Sequence, residues 1–184
     1  MSNLKFGANG DDYPEAAAKH LTDARTLLDA KRFDGAAYLA GFAIECSLRT
    51  VVMVGHMMKL LNEELAEAKR PPVPLARALK PGSRALDFKS VARNEAQTHG
   101  RDHDLADLAA ATTGYKDVLS EGAVRYVPTV DMTRLPFRDL QKFTNIRYRG
   151  NGSVLSEDAA KWLEEACALY DASVGLMRRD GLVK

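Results

Sequence analysis

The chain has 184 residues, 46% of them apolar and 28% charged, with 26 basic residues against 25 acidic ones. This size and composition predict one globular domain over residues 1–184 and argue against a disordered chain. The net charge of +1 argues against a protein that coats nucleic acid or anionic membrane by bulk electrostatics. Two distant cysteines, Cys46 and Cys167, disfavour a disulfide framework or a zinc site.

Helical periodicity predicts an all-α fold, because strand-like alternation of apolar residues is nearly absent. A first helix is expected over 14–32, starting at Asp12 or Tyr13 and opening with a proline. A second helix follows over 36–65 or beyond, with Asp34 as its predicted N-cap. It is apolar almost all round, which predicts a central helix packed on several sides.

The second half of the chain contains an irregular insertion and three further predicted helices. The insertion covers about 66–103 and should contain one short helix near 83–97. The first of the three later helices is capped by Asp102 or Asp104. The second runs over Phe137–Tyr148. The third is capped by Ser156 and extends to Met177.

We expect a cytoplasmic protein that does not interact with a membrane. The N-terminus has no apolar core of signal-peptide length. The most apolar stretch, 39–61, is interrupted by charged or polar side chains and is therefore not predicted to span a bilayer (Glu45, Arg49, His56 and Lys59).

Glu45 is a candidate site residue because it lies in the most apolar helix, where a carboxylate must be paired, hydrated or protonated. One interpretation is an i,i+4 pair with Arg49 on an exposed stripe of the helix. The other places Glu45 against an arginine from another helix, in a functional cleft.

The segment 145–152 combines guanidinium, amide and phenol groups with two glycines at a predicted helix end. Arginine binds phosphate through its planar fork, and an aromatic ring can stack on a base. Residues 125–149 carry six basic residues against two acidic ones, a larger excess than that of the whole chain. The alternative is a basic helix end that only complements the helix dipole. The candidate ligand-binding residues are Glu45, Asn145, Arg147, Tyr148, Arg149 and Asn151.

The run 99–104 has two histidines four residues apart, flanked by Asp102 and Asp104. Gly100 interrupts the helix that would bring both rings to one face, so a capping aspartate with His103 packed nearby is the simpler interpretation. We expect no metal and no cofactor, and the cysteines are interpreted as structural thiols.

Four segments together resemble proteins of the HEPN family, whose name stands for higher eukaryotes and prokaryotes nucleotide-binding. The first is Tyr13-Pro14 entering a helix, and the second is RFDGAAYLAGFAIECSLR over 32–49. The third is HDLADL over 103–108, similar to the start of a later HEPN helix. The fourth is NIRY over 145–148, similar to the family's arginine-bearing segment.

The resemblance implies an up-and-down bundle of four main helices that pairs as a homodimer, in toxin–antitoxin, defence or RNA-processing settings. Many family members are metal-independent endoribonucleases with an Arg-x4-6-His motif in a shared cleft. Arg147 matches the arginine of that motif. The histidine should fall at 152–154, but those residues are Gly, Ser and Val, and no histidine follows His103.

Positioned acid–base catalysis is worth about a hundredfold to ten-thousandfold, so the missing histidine favours a binding protein over an enzyme. The leading hypothesis is a catalytically reduced HEPN-like homodimer that binds RNA, a nucleotide or a protein partner at an arginine-lined cleft. The alternative is a metal-independent endoribonuclease in which His103 or Tyr148 replaces the missing acid or base beside Arg147. A third is a purely structural interaction module, and a nucleotidyltransferase-type antitoxin is the partner that the resemblance implies.

Overall fold

The computed structural model describes residues 2–6, 10–116, 119, 123–131 and 143–184. Every secondary-structure element in these ranges is helical, which confirms the predicted all-α class. The α-helices are α1 (Tyr13–Asp29), α2 (Phe33–Glu67), α3 (Leu75–Ala78), α4 (Lys89–Thr98), α5 (Leu105–Gly114), α6 (Ser156–Ala172) and α7 (Val174–Arg179). Single 3₁₀ turns lie at Arg84–Phe88, Arg101–His103, Val124–Tyr126 and Phe143–Tyr148.

Helix α2 forms the centre of the fold, and α1, α4, α5 and α6 all pack against it. Its small residues allow neighbouring segments to approach the helix backbone closely. A Cβ on Gly41 would lie only 2.2 Å from Cδ2 of the Phe143 ring. By length and composition α2 resembles a membrane span, but 78% of its most apolar window is buried inside the fold. Its apolar residues therefore serve as the core of the helical assembly.

The predicted start of α1 and one predicted cap, that of α5 by Asp104, are confirmed. The carboxylate of Asp12 accepts from the backbone N–H of Glu15 at the start of α1. Asp104 accepts from the N–H groups of Ala106 and Asp107, at 2.9 and 3.1 Å, at the start of α5.

The predicted caps at Asp34 and Ser156 are wrong. Helix α2 begins at Phe33, so Asp34 lies within its first turn and directs its carboxylate to a distant loop. Helix α6 begins at Ser156 itself, after the extended backbone of Leu155, and no side chain caps it. Both sequences have a capping residue near the helix start, but the backbone enters the helix one residue or more earlier.

Three segments differ in detail from the sequence prediction. The segment 66–103 holds α3, α4 and two 3₁₀ turns, and α4 packs on α2 through the fully buried Ala92 and Ala96. The last helix breaks at Ser173, whose hydroxyl donates to the carbonyl of Leu169. Of the predicted helix 137–148, residues 143–148 form a 3₁₀ turn, and 137–142 lie outside the described residues.

Candidate functional site

Glu45 is buried on α2 and both of its carboxylate oxygens have partners. Its side chain is only 7% exposed. Oε1 accepts from Nε of Arg49 at 2.9 Å, and Oε2 lies 2.7 Å from Nδ1 of His103. The predicted pairing with Arg49 is correct, but the predicted exposed stripe is wrong, because pairing rather than hydration satisfies this carboxylate.

Arg49 connects this pair to the turn after α4. Its guanidinium donates to the carbonyl of Ala96 at the end of α4. It also donates to the carbonyl oxygen of Gly100, which lies 3.2 Å from Nη2. A largely enclosed arginine that donates to a carboxylate and two carbonyls holds all three segments in one arrangement. The position of His103 is therefore set by α2 as well as by its own turn.

His103 adopts a backbone conformation that side chains rarely occupy, with φ of 63°. Such strain persists where surrounding contacts hold it, and it is common at functional sites. The imidazole packs edge-on against Phe42 and Phe143, with ring centroids 5.3 and 5.9 Å away. Its side chain is still 35% exposed, so the Glu45–His103 pair reaches the surface.

His20 on α1 packs against the same Phe42 ring, at a centroid distance of 5.6 Å. Its Nδ1 is buried and has no hydrogen-bond partner among the described residues. Burial lowers the pKa of His20, because the charged imidazolium loses hydration there. Two histidines from distant parts of the chain thus contact one phenylalanine beside Glu45.

Asp107 fixes the backbone of the turn that precedes His103. Its carboxylate accepts from the N–H of Gly100 at 2.7 Å and lies 3.3 Å from Nδ1 of His99. The hydrogen bond from Gly100, followed by His99, lowers the pKa of Asp107 despite partial burial. His99 and His103 thus have separate carboxylate partners, and no group of three or more His, Cys, Asp or Glu side chains in the described ranges is arranged to hold a metal ion.

The 3₁₀ turn Phe143–Tyr148 is anchored at one end and exposed at the other. Phe143 is fully buried against Phe42 and over Gly41. At the exposed end the Arg147 guanidinium lies 4.6 Å from the centre of the Tyr148 ring, and Tyr148 is 76% exposed. All five ligand-binding candidates outside α2 are exposed (Asn145, Arg147, Tyr148, Arg149 and Asn151).

Asp34 holds the loop that follows these residues. Its carboxylate accepts from the N–H of Gly152 at 2.6 Å, the hydroxyl of Ser153 at 2.8 Å and the N–H of Val154 at 2.8 Å. Burial opposes ionisation, but these three hydrogen bonds outweigh it and lower the pKa of Asp34. Asn151 and Gly152 line a cavity of about 450 Å³ with residues 31–35, which include Lys31 and Arg32.

The structure brings the predicted site residues together in two groups. Glu45 contacts His103, and Arg147 contacts Tyr148. Phe143 links the groups, since it packs on His103 and begins the turn that carries Arg147. Among the described residues, no hydrogen bond or ion pair joins Glu45 to Arg147, so the predicted contact between this carboxylate and a distant arginine is replaced by one with His103.

The predicted basic cluster over 125–149 is only partly available for a ligand. Arg125 is paired with Asp180 at 2.6 Å and lies over the Tyr126 ring. Arg134, Arg138 and Lys142 lie outside the described residues. Arg147 and Arg149 are exposed, and no carboxylate within the described ranges pairs with either of them.

Sequence reasoning did not identify the aromatic wall formed by Phe42 and Phe143, or the contribution of Lys31 and Arg32. The helical period places Phe42 and Glu45 on neighbouring positions of α2, which is a usable signal for a shared surface. The contact between Phe143 and Gly41 joins residues that are far apart in the sequence, so the helical period cannot predict it.

Comparisons with protein-family models, curated proteins and solved structures give no match to this chain.

Proposed function

We propose that this protein is a HEPN-like homodimer that binds single-stranded RNA through the exposed surface formed by residues 145–151. The observation that carries the proposal is the Arg147 guanidinium over the 76% exposed Tyr148 ring. An arginine for phosphate and an aromatic face for a base are the two elements of single-strand recognition. Exposed Arg149 and the cavity beside Asn151 extend this surface.

The assignment to a HEPN-like bundle has support in one long-range contact. Glu45 and His103 come from two of the four segments that resemble HEPN motifs, and their side chains meet across 58 positions of the chain. Four main helices in up-and-down order, a cytoplasmic location and a role in a toxin–antitoxin or defence system remain parts of the same proposal. So does a nucleotidyltransferase-type antitoxin as partner.

The test is a fluorescence-anisotropy titration of a labelled single-stranded RNA over a salt series. Arg147→Ala should weaken binding and reduce the slope of log affinity against log salt by about 0.7, the value for one phosphate contact on a single strand. Tyr148→Ala should weaken binding by about 1–3 kcal/mol with little change of slope, because stacking is not ionic.

Arg179→Ala is the matched control, since Arg179 is also an exposed arginine at a helix end. It should bind RNA like the unaltered protein. Equal, salt-insensitive binding by all variants contradicts the proposal. If a mononucleotide competes as effectively as RNA, the surface binds a nucleotide. If the protein does not bind RNA but captures an acidic protein, the surface binds a protein partner.

Oligomeric state is tested separately by sedimentation equilibrium over micromolar concentrations. A dimer is expected from the resemblance to the HEPN family, whose members pair as homodimers with their motifs in a shared cleft. A monomer throughout that range contradicts the homodimer.

A second candidate function, metal-independent RNA cleavage, is favoured by the Glu45–His103 contact. A carboxylate on Nδ1 orients the imidazole and leaves Nε2 as the nitrogen that exchanges a proton. In such cleavage the 2′-hydroxyl attacks the neighbouring phosphorus, a base removes its proton, and the departing 5′-oxygen gains one. A partly exposed histidine such as His103 can take part in either transfer.

This candidate predicts RNA cleavage in the presence of a metal chelator, with no cleavage of an all-deoxy strand. His103→Gln should abolish cleavage, since glutamine can still donate to Glu45 but cannot exchange a proton. His99→Gln is the control, because His99 is similarly exposed. Intact RNA across pH 5–9 with purified protein excludes this activity.

A further inference from the structure

A cavity of about 530 Å³ lies where the end of α2 meets the segment 70–85. One part of its wall is apolar and comes from α2, α3 and the segments before and after α3 (Leu61, Leu65, Pro71, Val73, Ala78, Pro81 and Ala85). A volume of this size is typical of cavities that hold a small organic molecule. Leu61, Ala78 and Ala85 are buried, so the floor of the cavity is part of the core.

The charges around this cavity are unbalanced. It is lined by four cations and one carboxylate (Arg70, Arg77, Lys80, Arg84 and Glu64). Arg84 occupies both oxygens of Glu64, from Nε at 3.1 and 3.0 Å. No carboxylate in the described ranges pairs with Arg70, Arg77 or Lys80, so three cations surround an apolar floor.

We propose that this cavity binds an alkyl carboxylate. The apolar chain would contact Leu61, Leu65 and Val73, and the carboxylate would lie among Arg70, Arg77 and Lys80. Arginine suits this ligand because its planar fork donates two parallel hydrogen bonds to a carboxylate. Among the residues that the structure describes, no aromatic side chain lines the cavity, so they give a nucleotide base nothing to stack on and favour an aliphatic ligand.

The first experiment is calorimetric titration of the full chain with octanoate, 1-octanol and acetate. Octanoate should bind saturably with one site per chain, and the other two should bind at least about tenfold more weakly, because each lacks one half of the interaction. Equal binding of octanol would reduce the site to an apolar hollow. Equal binding of acetate would mean that surface charge alone holds the ligand. Either of these results, or a lack of octanoate binding, overturns the proposal.

The second experiment uses variants with a matched control. Arg77→Ala and Arg70→Ala should each lower octanoate affinity by about tenfold, the effect of losing one charge-assisted hydrogen bond. Arg179→Ala, an exposed arginine outside the cavity lining, should leave it unchanged. Thermal unfolding of each variant checks that it is folded. Unchanged octanoate affinity in folded Arg70→Ala and Arg77→Ala proteins overturns the proposal. The RNA proposal is unaffected by this outcome, because RNA titration reports on a different surface.

Discussion

The carboxylate of Asp34 accepts a hydrogen bond from the backbone N–H of Gly152 at 2.6 Å. This contact joins the first turn of the central helix to the loop that follows the exposed arginines. Gly152 has φ of 79°, a conformation that favours glycine, so the loop can turn its N–H toward Asp34 without strain. The geometry of the candidate RNA surface thus depends on a residue on α2.

Asp34→Ala should lower the free energy of unfolding by about 1–2 kcal/mol at pH 7, because three hydrogen bonds to a charged acceptor are lost at a partly exposed position. Since the pKa of Asp34 is lowered in the folded state, its contribution is present above the unfolded pKa of about 3.9 and is lost as the pH falls through the folded value. Urea denaturation of both proteins at pH 7 and pH 3 measures this. A stability difference as large at pH 3 as at pH 7 would contradict the electrostatic explanation.

Glu45→Leu should lower the free energy of unfolding by about 3 kcal/mol, because it leaves the guanidinium of Arg49, which is only 11% exposed, without its carboxylate. The double variant Glu45→Leu/Arg49→Leu should lose less than the sum of the two single variants, since an apolar pair needs no hydration. A double-mutant cycle by urea denaturation gives the coupling energy. Strict additivity would mean that the pair contributes nothing to stability.

His20→Phe should make stability less dependent on pH. The folded pKa of His20 is lowered by burial, so below the unfolded pKa of about 6.5 the unfolded chain binds more protons and stability falls as the pH falls. Phenylalanine keeps the contact with Phe42 and removes the unpaired Nδ1. The free energy of unfolding, measured at pH 5, 6, 7 and 8, should rise less steeply with pH in the variant. A residual slope should remain, because burial also lowers the pKa of His56. An unchanged slope would show that His20 is not the group responsible.

Gly41→Ala should destabilise the protein by about 1–3 kcal/mol, because the added Cβ would overlap the Phe143 ring. The variant Gly41→Ala/Phe143→Leu should recover part of this loss, since a smaller side chain leaves room for the methyl group. Thermal unfolding of the single and double variants measures the recovery. If Phe143→Leu adds its own full cost to that of Gly41→Ala, the steric explanation is wrong.

The helical class and much of the core followed from local patterns in the sequence. The start of α1, the cap at Asp104 and the i,i+4 pairing of Glu45 with Arg49 depend on residues within a few positions of one another, which local sequence signals reveal. The contacts of Glu45 with His103 and of Asp34 with Gly152 join positions 58 and 118 apart, and no local pattern encodes them. The break at Ser173 was also missed, because the apolar spacing continues through it.

The two cysteines differ in a way that provides a built-in attachment point for a probe. Burial raises the pKa of the Cys46 thiol to about 12, whereas Cys167 is partly exposed on α6. Maleimide reacts with the thiolate, so native protein at neutral pH should be modified at Cys167 alone. A spin label introduced there in unaltered protein would give one label per chain, and if the proposed homodimer forms, the distance between its two labels would restrain how the copies are arranged.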